Sequence, residues 1–302
     1  MNTVELSPQI ISAFQSFVLR FYTQHGRHEL PWRQTSDPYK ILVSELMLQQ
    51  TQVNRVIPKY LDFIEMFPSV QTLASANLSQ VLSLWQGLGY NRRAQFLWQL
   101  AQKLVYNSHP TQTTQNQLFP TTQEELQQLP GIGPYTASAI ITFAYNQPAT
   151  VIETNIRSVF LYHFFPIKTD VQKISDTQLV QLITKCLPQT NPKEWYWALM
   201  DYGSYLKKVL PNPSRKSKHH TKQSKFKGSL RQVRGEIIRL LVQQISKLNE
   251  RGELKGSQYN LGFSKKELNQ KITGNKLHFE AALQQLLDEK LVVKNTGQFV
   301  LP

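Results

Sequence analysis

Apolar residues return every third or fourth position along most of this chain, a spacing that predicts a succession of amphipathic helices. The first opens at Ser7-Pro8, a capping residue followed by a proline whose missing amide is harmless in a first turn. It sets Ile10, Ile11, Phe14, Phe17, Val18 and Phe21 along one side. Asp37-Pro38 opens a second helix through Ile41, Leu42, Leu46 and Leu48, and the pattern continues over 56–67, 78–85 and 92–105. Thr122 and Glu125 form a capping-box pair ahead of another helix, and 134–145, 155–165, 176–186 and 193–207 complete the series. Alternating strand patterns are few before residue 290.

The pattern then breaks. Pro211 to Gly228 contains Arg215, Lys216, Lys218, His219, His220, Lys222, Lys225 and Lys227 with no acidic residue, and reads as a basic linker. Beyond it, 230–245 is again amphipathic, and Ser264 with Glu267 caps a short helix. Phe279, Leu283, Leu286 and Leu287 share a helix face, and 291–301 reads as a hairpin around Asn295-Thr296-Gly297. The expected organisation is mainly α: a helical domain over 1–210, a linker over 211–228 and a small winged-helix-like domain over 229–302.

With 302 residues and 40% hydrophobic content, the chain is long enough for one large or two ordinary soluble domains. No apolar run approaches the length that crosses a bilayer, and residues 1–9 lack a basic, apolar leader. The expectation is a protein without a membrane partner that stays where it is made, cytoplasmic beside the nucleoid or nuclear. Cys186 is the single cysteine, which excludes an internal disulfide, a thiolate zinc site and a four-cysteine iron–sulfur cluster. The net charge of +14 is uneven: 1–208 carries 16 Lys and Arg against 13 Asp and Glu, or +3, and 209–302 carries 18 against 7, or +11. Such a balance suits a polyanion.

Three places hold candidate chemistry. In Leu129-Pro130-Gly131-Ile132-Gly133-Pro134-Tyr135-Thr136-Ala137, two glycines around one apolar residue join two helices. The loop amides and the second helix's N-terminus can then hold a phosphate oxygen without reading sequence, with Gly131, Ile132, Gly133 and Thr136 as the contacts. An ordinary glycine-capped corner has the same pattern. Glu45 sits in an apolar helical run, where desolvation raises a carboxyl pKa as a general acid requires; a solvent-facing or helix-bonded glutamate is the alternative. Glu153 precedes a helix beside Asn155, and as a negative charge it can serve an oxocarbenium-like sugar or simply cap that helix. His219 and His220, adjacent and without a further nearby ligand, read as solvated, so no metal site is expected.

Leu30-Pro31-Trp32-Arg33, Ser44 to Thr51, Trp85-Gln86-Gly87-Leu88-Gly89-Tyr90, the glycine hairpin and Glu153 to Arg157 together resemble the adenine DNA glycosylases of the MutY type. These belong to the helix-hairpin-helix superfamily that includes endonuclease III, and the resemblance covers about residues 8–205. It implies that Glu45 protonates adenine at N7 and that Glu153 takes the place of the catalytic aspartate. It also implies that Gln50 and Tyr90 wedge into the duplex and that Leu30, Trp32 and Arg33 line the base pocket; Tyr90 and Trp32 also read as core aromatics. Tyr135 falls where bifunctional relatives carry a Schiff-base lysine, which implies hydrolysis without an imine.

Three departures accompany the resemblance. Glutamate replaces aspartate at 153, a methylene that displaces the charge by roughly 1.5 Å. The iron–sulfur loop, whose first cysteine would fall near Lys207, is replaced by the basic tract. The carboxyl-terminal segment is shorter than, and unlike, the family's 8-oxoguanine-checking domain. The implied activity is monofunctional base-excision repair, removing adenine opposite guanine or 8-oxoguanine from double-stranded DNA. The enzyme would be a monomer without cofactor, and a monovalent cation at the hairpin is compatible with it. Arg215, Lys216, Lys218 and Lys222 would be further phosphate contacts. A thymine or uracil mismatch glycosylase, a non-catalytic DNA-binding protein and a transcription regulator remain alternatives.

Overall fold

Helix starts in the computed structural model, which describes residues 6–107, 118–165, 173–221, 224–250 and 262–302, follow local capping bonds. Ser7 accepts a hydrogen bond from the Ile10 amide ahead of α1 (Pro8–His25), and Asp37 accepts from the Tyr39 and Lys40 amides at the head of α2 (Pro38–Leu48). There follow α3 (Val53–Met66), α4 (Val70–Ala74), α5 (Leu78–Leu84) and α6 (Arg92–Tyr106). Thr122 accepts from the Glu125 amide before α7 (Gln123–Gln127). After the glycine turn come α8 (Pro134–Phe143), α9 (Thr154–Phe164), α10 (Asp176–Lys185) and α11 (Pro192–Val209).

Contacts sort the chain into two compact units. One consists of Met1–Leu42, Phe119–Gln128 and Ile132–Lys222. Here α11 packs against both α9 and α1, and Phe14 meets the rings of Phe160, Phe164 and Trp195 edge-on at 5.0–5.7 Å. The buried stripe of α1 is Phe14, Val18 and Tyr22; Ile10 and Phe17, expected on the same side, are 48% and 41% exposed. A stripe of i, i+4 and i+8 is narrower than the apolar set the spacing offered. The basic tract expected as a linker is folded in part. Pro213–Lys216 forms a 3₁₀ turn against α9, Ser214 and Ser217 are buried, and Ser217 bridges Ile174 in parallel. Composition reports charge and breakers, but not the backbone bonds a distant segment supplies.

The other unit is Val43–Leu118, Leu129–Gly131 and Gln223–Pro302. Helix α6 packs on α4 and α5, with the Phe63 and Trp85 rings 6.0 Å apart. The carboxyl-terminal part contains α12 (Leu230–Glu250), α13 (Lys265–Lys271), α14 (Phe279–Asp288), β1 (Val293–Asn295) and β2 (Gln298–Val300). The strands pair antiparallel with Lys294 opposite Phe299, and Thr296 and Gly297 turn the hairpin with positive φ of 45° and 85°. Helix α12 packs on α5, and the Gln95 amide donates to the Glu289 and Lys290 carbonyls at 2.8 and 3.3 Å.

Candidate active site

Glu153 is the N-cap of α9. Its carboxylate accepts from the Asn155 and Ile156 amides at 2.7 and 2.9 Å and from the Asn155 side-chain amide at 3.1 Å. Burial pushes the carboxyl pKa up, against the two backbone amides and the positive charges of Lys207 and Arg157, which pull it down. Lys207 stands on α11, and its own pKa is lowered by burial and supported by Glu153. Asn155 Oδ1 is buried without a hydrogen-bond partner among the described residues, an acceptor beside the carboxylate. The amides that fix the helix start also fix the carboxylate's direction.

The glycine turn runs from α7 into α8. Gly131 has φ of +76°, and a Cβ there would lie 2.6 Å from the Phe96 Cβ, so only glycine fits. Gly133 caps α8 in extended backbone, and a Cβ there would meet nothing within 4 Å. Ile132 is buried and Tyr135 half-buried. Thr136, in the first turn of α8, is buried at 3% exposure.

Leu30, Trp32 and Arg33 are all buried around the 3₁₀ turn Pro31–Arg33. The charged end of Arg33 is already engaged. Its two terminal nitrogens donate to Asp201 at 2.8 and 2.9 Å, and its carbon lies 5.6 and 5.5 Å from the Tyr22 and Trp197 ring centres. Asp201 also accepts from the Arg27 amide and guanidinium. Burial alone would raise the Asp201 carboxyl pKa, but Arg33 and Arg27 hold it below the ordinary range. The sequence signal for Asp201 was an acid inside the apolar run of α11.

In the other unit Glu45 is 7% exposed, within a stretch of α2 from Ile41 to Met47 that is buried throughout. One turn later the helix ends at a hub absent from the sequence reading. The buried Arg93 guanidinium donates to the carbonyls of Leu46, Met47 and Gln49, and to those of Leu88 and Gly89. Its Nε donates to the Tyr90 carbonyl at 3.4 Å. Desolvation lowers its pKa to about 10. Arg93 thus joins the turns that hold Gln50 and Tyr90, both non-glycine residues at positive φ, 56° and 49°. Such backbone costs of order 1 kcal/mol or more and persists where neighbours hold it. The two residues that the resemblance implies as wedges share one anchor.

Of the basic tract, Arg215 and Lys218 are exposed, while Lys216 donates to the Phe165 carbonyl at 2.9 Å; Lys222 lies outside the described residues. A cysteine-held cluster does not fit these residues. Cys186 is buried, its thiol pKa pushed up to about 11, and Lys207 stands where the first ligand would fall. No helix of the described residues is long and apolar enough to cross a membrane.

Residues 43–185 match the family model described as HhH-GPD superfamily base excision DNA repair protein. The chain is 36% identical over 193 residues to an adenine DNA glycosylase of Buchnera aphidicola (subsp. Baizongia pistaciae), covering 64% of this chain and 52% of the relative. It is 35% identical over 181 residues to that of Mycolicibacterium smegmatis (60% and 59%), and 36% identical over 206 residues to the human one (64% and 36%). The chain spans about half the length of the bacterial relatives it matches. Among solved structures, a thermostable thymine-DNA glycosylase shares the fold with a TM-score of 0.55 at 24% identity, covering 64% of this chain and 86% of that one. The mainly helical architecture is shared with that structure over the part it covers.

Proposed function

From the HhH-GPD domain that the chain carries at 43–185, we propose a monofunctional DNA glycosylase that hydrolyses the N-glycosidic bond of adenine mispaired with guanine or 8-oxoguanine. The observation that carries this reading is the directed carboxylate of Glu153 with the open acceptor of Asn155, in a chain 36% identical to an adenine DNA glycosylase over 193 residues.

In the proposed reaction Glu45 gives its proton to adenine N7, and the C1′–N9 bond breaks with its electron pair passing to the base. Ionised Glu153 offsets the positive charge that develops at C1′. Water, oriented by Asn155 Oδ1, adds its oxygen to C1′ and passes a proton to Glu153, leaving an abasic sugar. Tyr135, lacking an amine, forms no imine. The glycine turn and the basic surface hold double-stranded DNA, and flipping, which costs a few kcal/mol, is cheapest at a mispair. The three helices and hairpin of 230–300 serve as a winged-helix-like element. The protein works as a monomer in the cytoplasm or nucleus.

A panel of duplexes, each with one mispaired or damaged base, tests this by alkali-revealed abasic sites, with Glu45→Gln as the control. Excision of adenine opposite guanine or 8-oxoguanine by the wild type and none by the variant is expected. Excision confined to thymine or uracil, or absent from every duplex, overturns it.

A further inference from the structure

We propose that Arg231 is a positioning residue for Tyr90, so that the carboxyl-terminal segment takes part in opening the base stack; this rests on the DNA-repair reading above. Arg231 stands in the first turn of α12. Its Nη1 donates to the Tyr90 hydroxyl and its Nη2 to the Ser224 carbonyl at 3.1 Å. The guanidinium carbon lies 5.3 Å from the centre of the Tyr90 ring and 5.7 Å from that of Phe226. Arg93 approaches the same Tyr90 ring at 5.4 Å.

Tyr90 is therefore held twice. Arg93 holds its backbone, and Arg231 holds the far end of its ring, where a hydroxyl bond and ring stacking act together. A residue at φ of 49° gains most from such support, because its backbone would otherwise relax. The segment that carries Arg231 is seated by contacts within its own unit, α12 on α5 and Gln95 on Glu289. Arg231 as a cover over Tyr90 would give the opposite sign, since removing a cover speeds the step.

The test is a double-mutant cycle of Arg231→Ala and Tyr90→Phe, read with 2-aminopurine beside an adenine–guanine mispair. Stopped-flow fluorescence reports unstacking, and single-turnover cleavage reports excision. Arg239→Ala, an exposed change on the same helix, controls for the removal of charge. Arg231→Ala is expected to slow unstacking about tenfold, with melting temperature unchanged. The double variant should be no slower than Arg231→Ala, and Arg239→Ala should match the wild type. Additive slowing, an equal effect in Arg239→Ala or faster unstacking in Arg231→Ala overturns the inference. A wild type that unstacks without excising defeats the glycosylase reading while the fluorescence still decides the cycle; a wild type that does neither defeats both.

Discussion

A Cβ on Gly203 would lie 2.2 Å from the Asn155 carbonyl oxygen and 2.6 Å from its carbon. Helix α11 thus touches the backbone that carries Asn155, two residues after Glu153, and only a residue without a side chain permits the approach. Gly203→Ala should push back the start of α9 and slow excision by about a hundredfold, the scale of a 1 Å misplacement. Single-turnover rates with a folded variant, verified by circular dichroism, measure this. A rate within twofold of wild type means that the contact does not set the carboxylate's position.

Glu153 should impose an acid limb on the rate–pH profile. In the proposed reaction the carboxyl is ionised, so the rate falls as pH drops through its pKa, which burial places above the ordinary carboxylate value. Lys207 pulls that pKa down, so Lys207→Met should move the limb to higher pH while leaving the plateau rate unchanged. Glu153→Asn should abolish the limb together with most of the rate. A limb unmoved in Lys207→Met separates the lysine from the carboxylate.

Asp201 serves stability. It answers two guanidinium groups, and the Arg33 and Asp201 side chains are both only 3% exposed. Asp201→Asn should cost about 3–5 kcal/mol, because it leaves buried positive charge uncompensated. Since its folded pKa is depressed, the stabilisation is present above the ordinary carboxylate pKa and lost as pH falls through the lowered value. Urea unfolding at neutral and strongly acid pH should show the gap between variant and wild type closing only in acid.

The exposed cations of the basic tract should add affinity without choosing a base. Arg215→Ala with Lys218→Ala should flatten the log–log salt dependence of DNA binding by about 0.9 for each phosphate no longer neutralised. Matched and mispaired duplexes should weaken by similar factors. An unchanged slope assigns the charge dependence to other surfaces, such as the cations of 229–302.

Helix starts and the terminal hairpin were legible in the chain itself. Ser7, Asp37 and Thr122 act on amides two or three residues away, and the Thr296-Gly297 turn acts on its own flanks, so the determining bonds lie within a few residues. The lone cysteine, the basic excess and the glycine turn were equally plain. Glu45 stood out as a charge in an apolar run, and the structure buries it; Glu153, open in the sequence to a cap or to chemistry, caps α9 with three donors on its carboxylate. Other features arose only on folding. Arg93 reaches carbonyls 44 to 47 residues away, and Arg33 reaches Asp201 across 168. Gly203 abuts Asn155, the tract around Ser217 gains a backbone partner in Ile174, and Arg231 meets Tyr90 across 141 residues. Local patterns encode which bonds a segment can make with itself. Carbonyls left open at a helix end, or a gap that only glycine fits, take their meaning from a distant segment, and packing alone decides which segment that is.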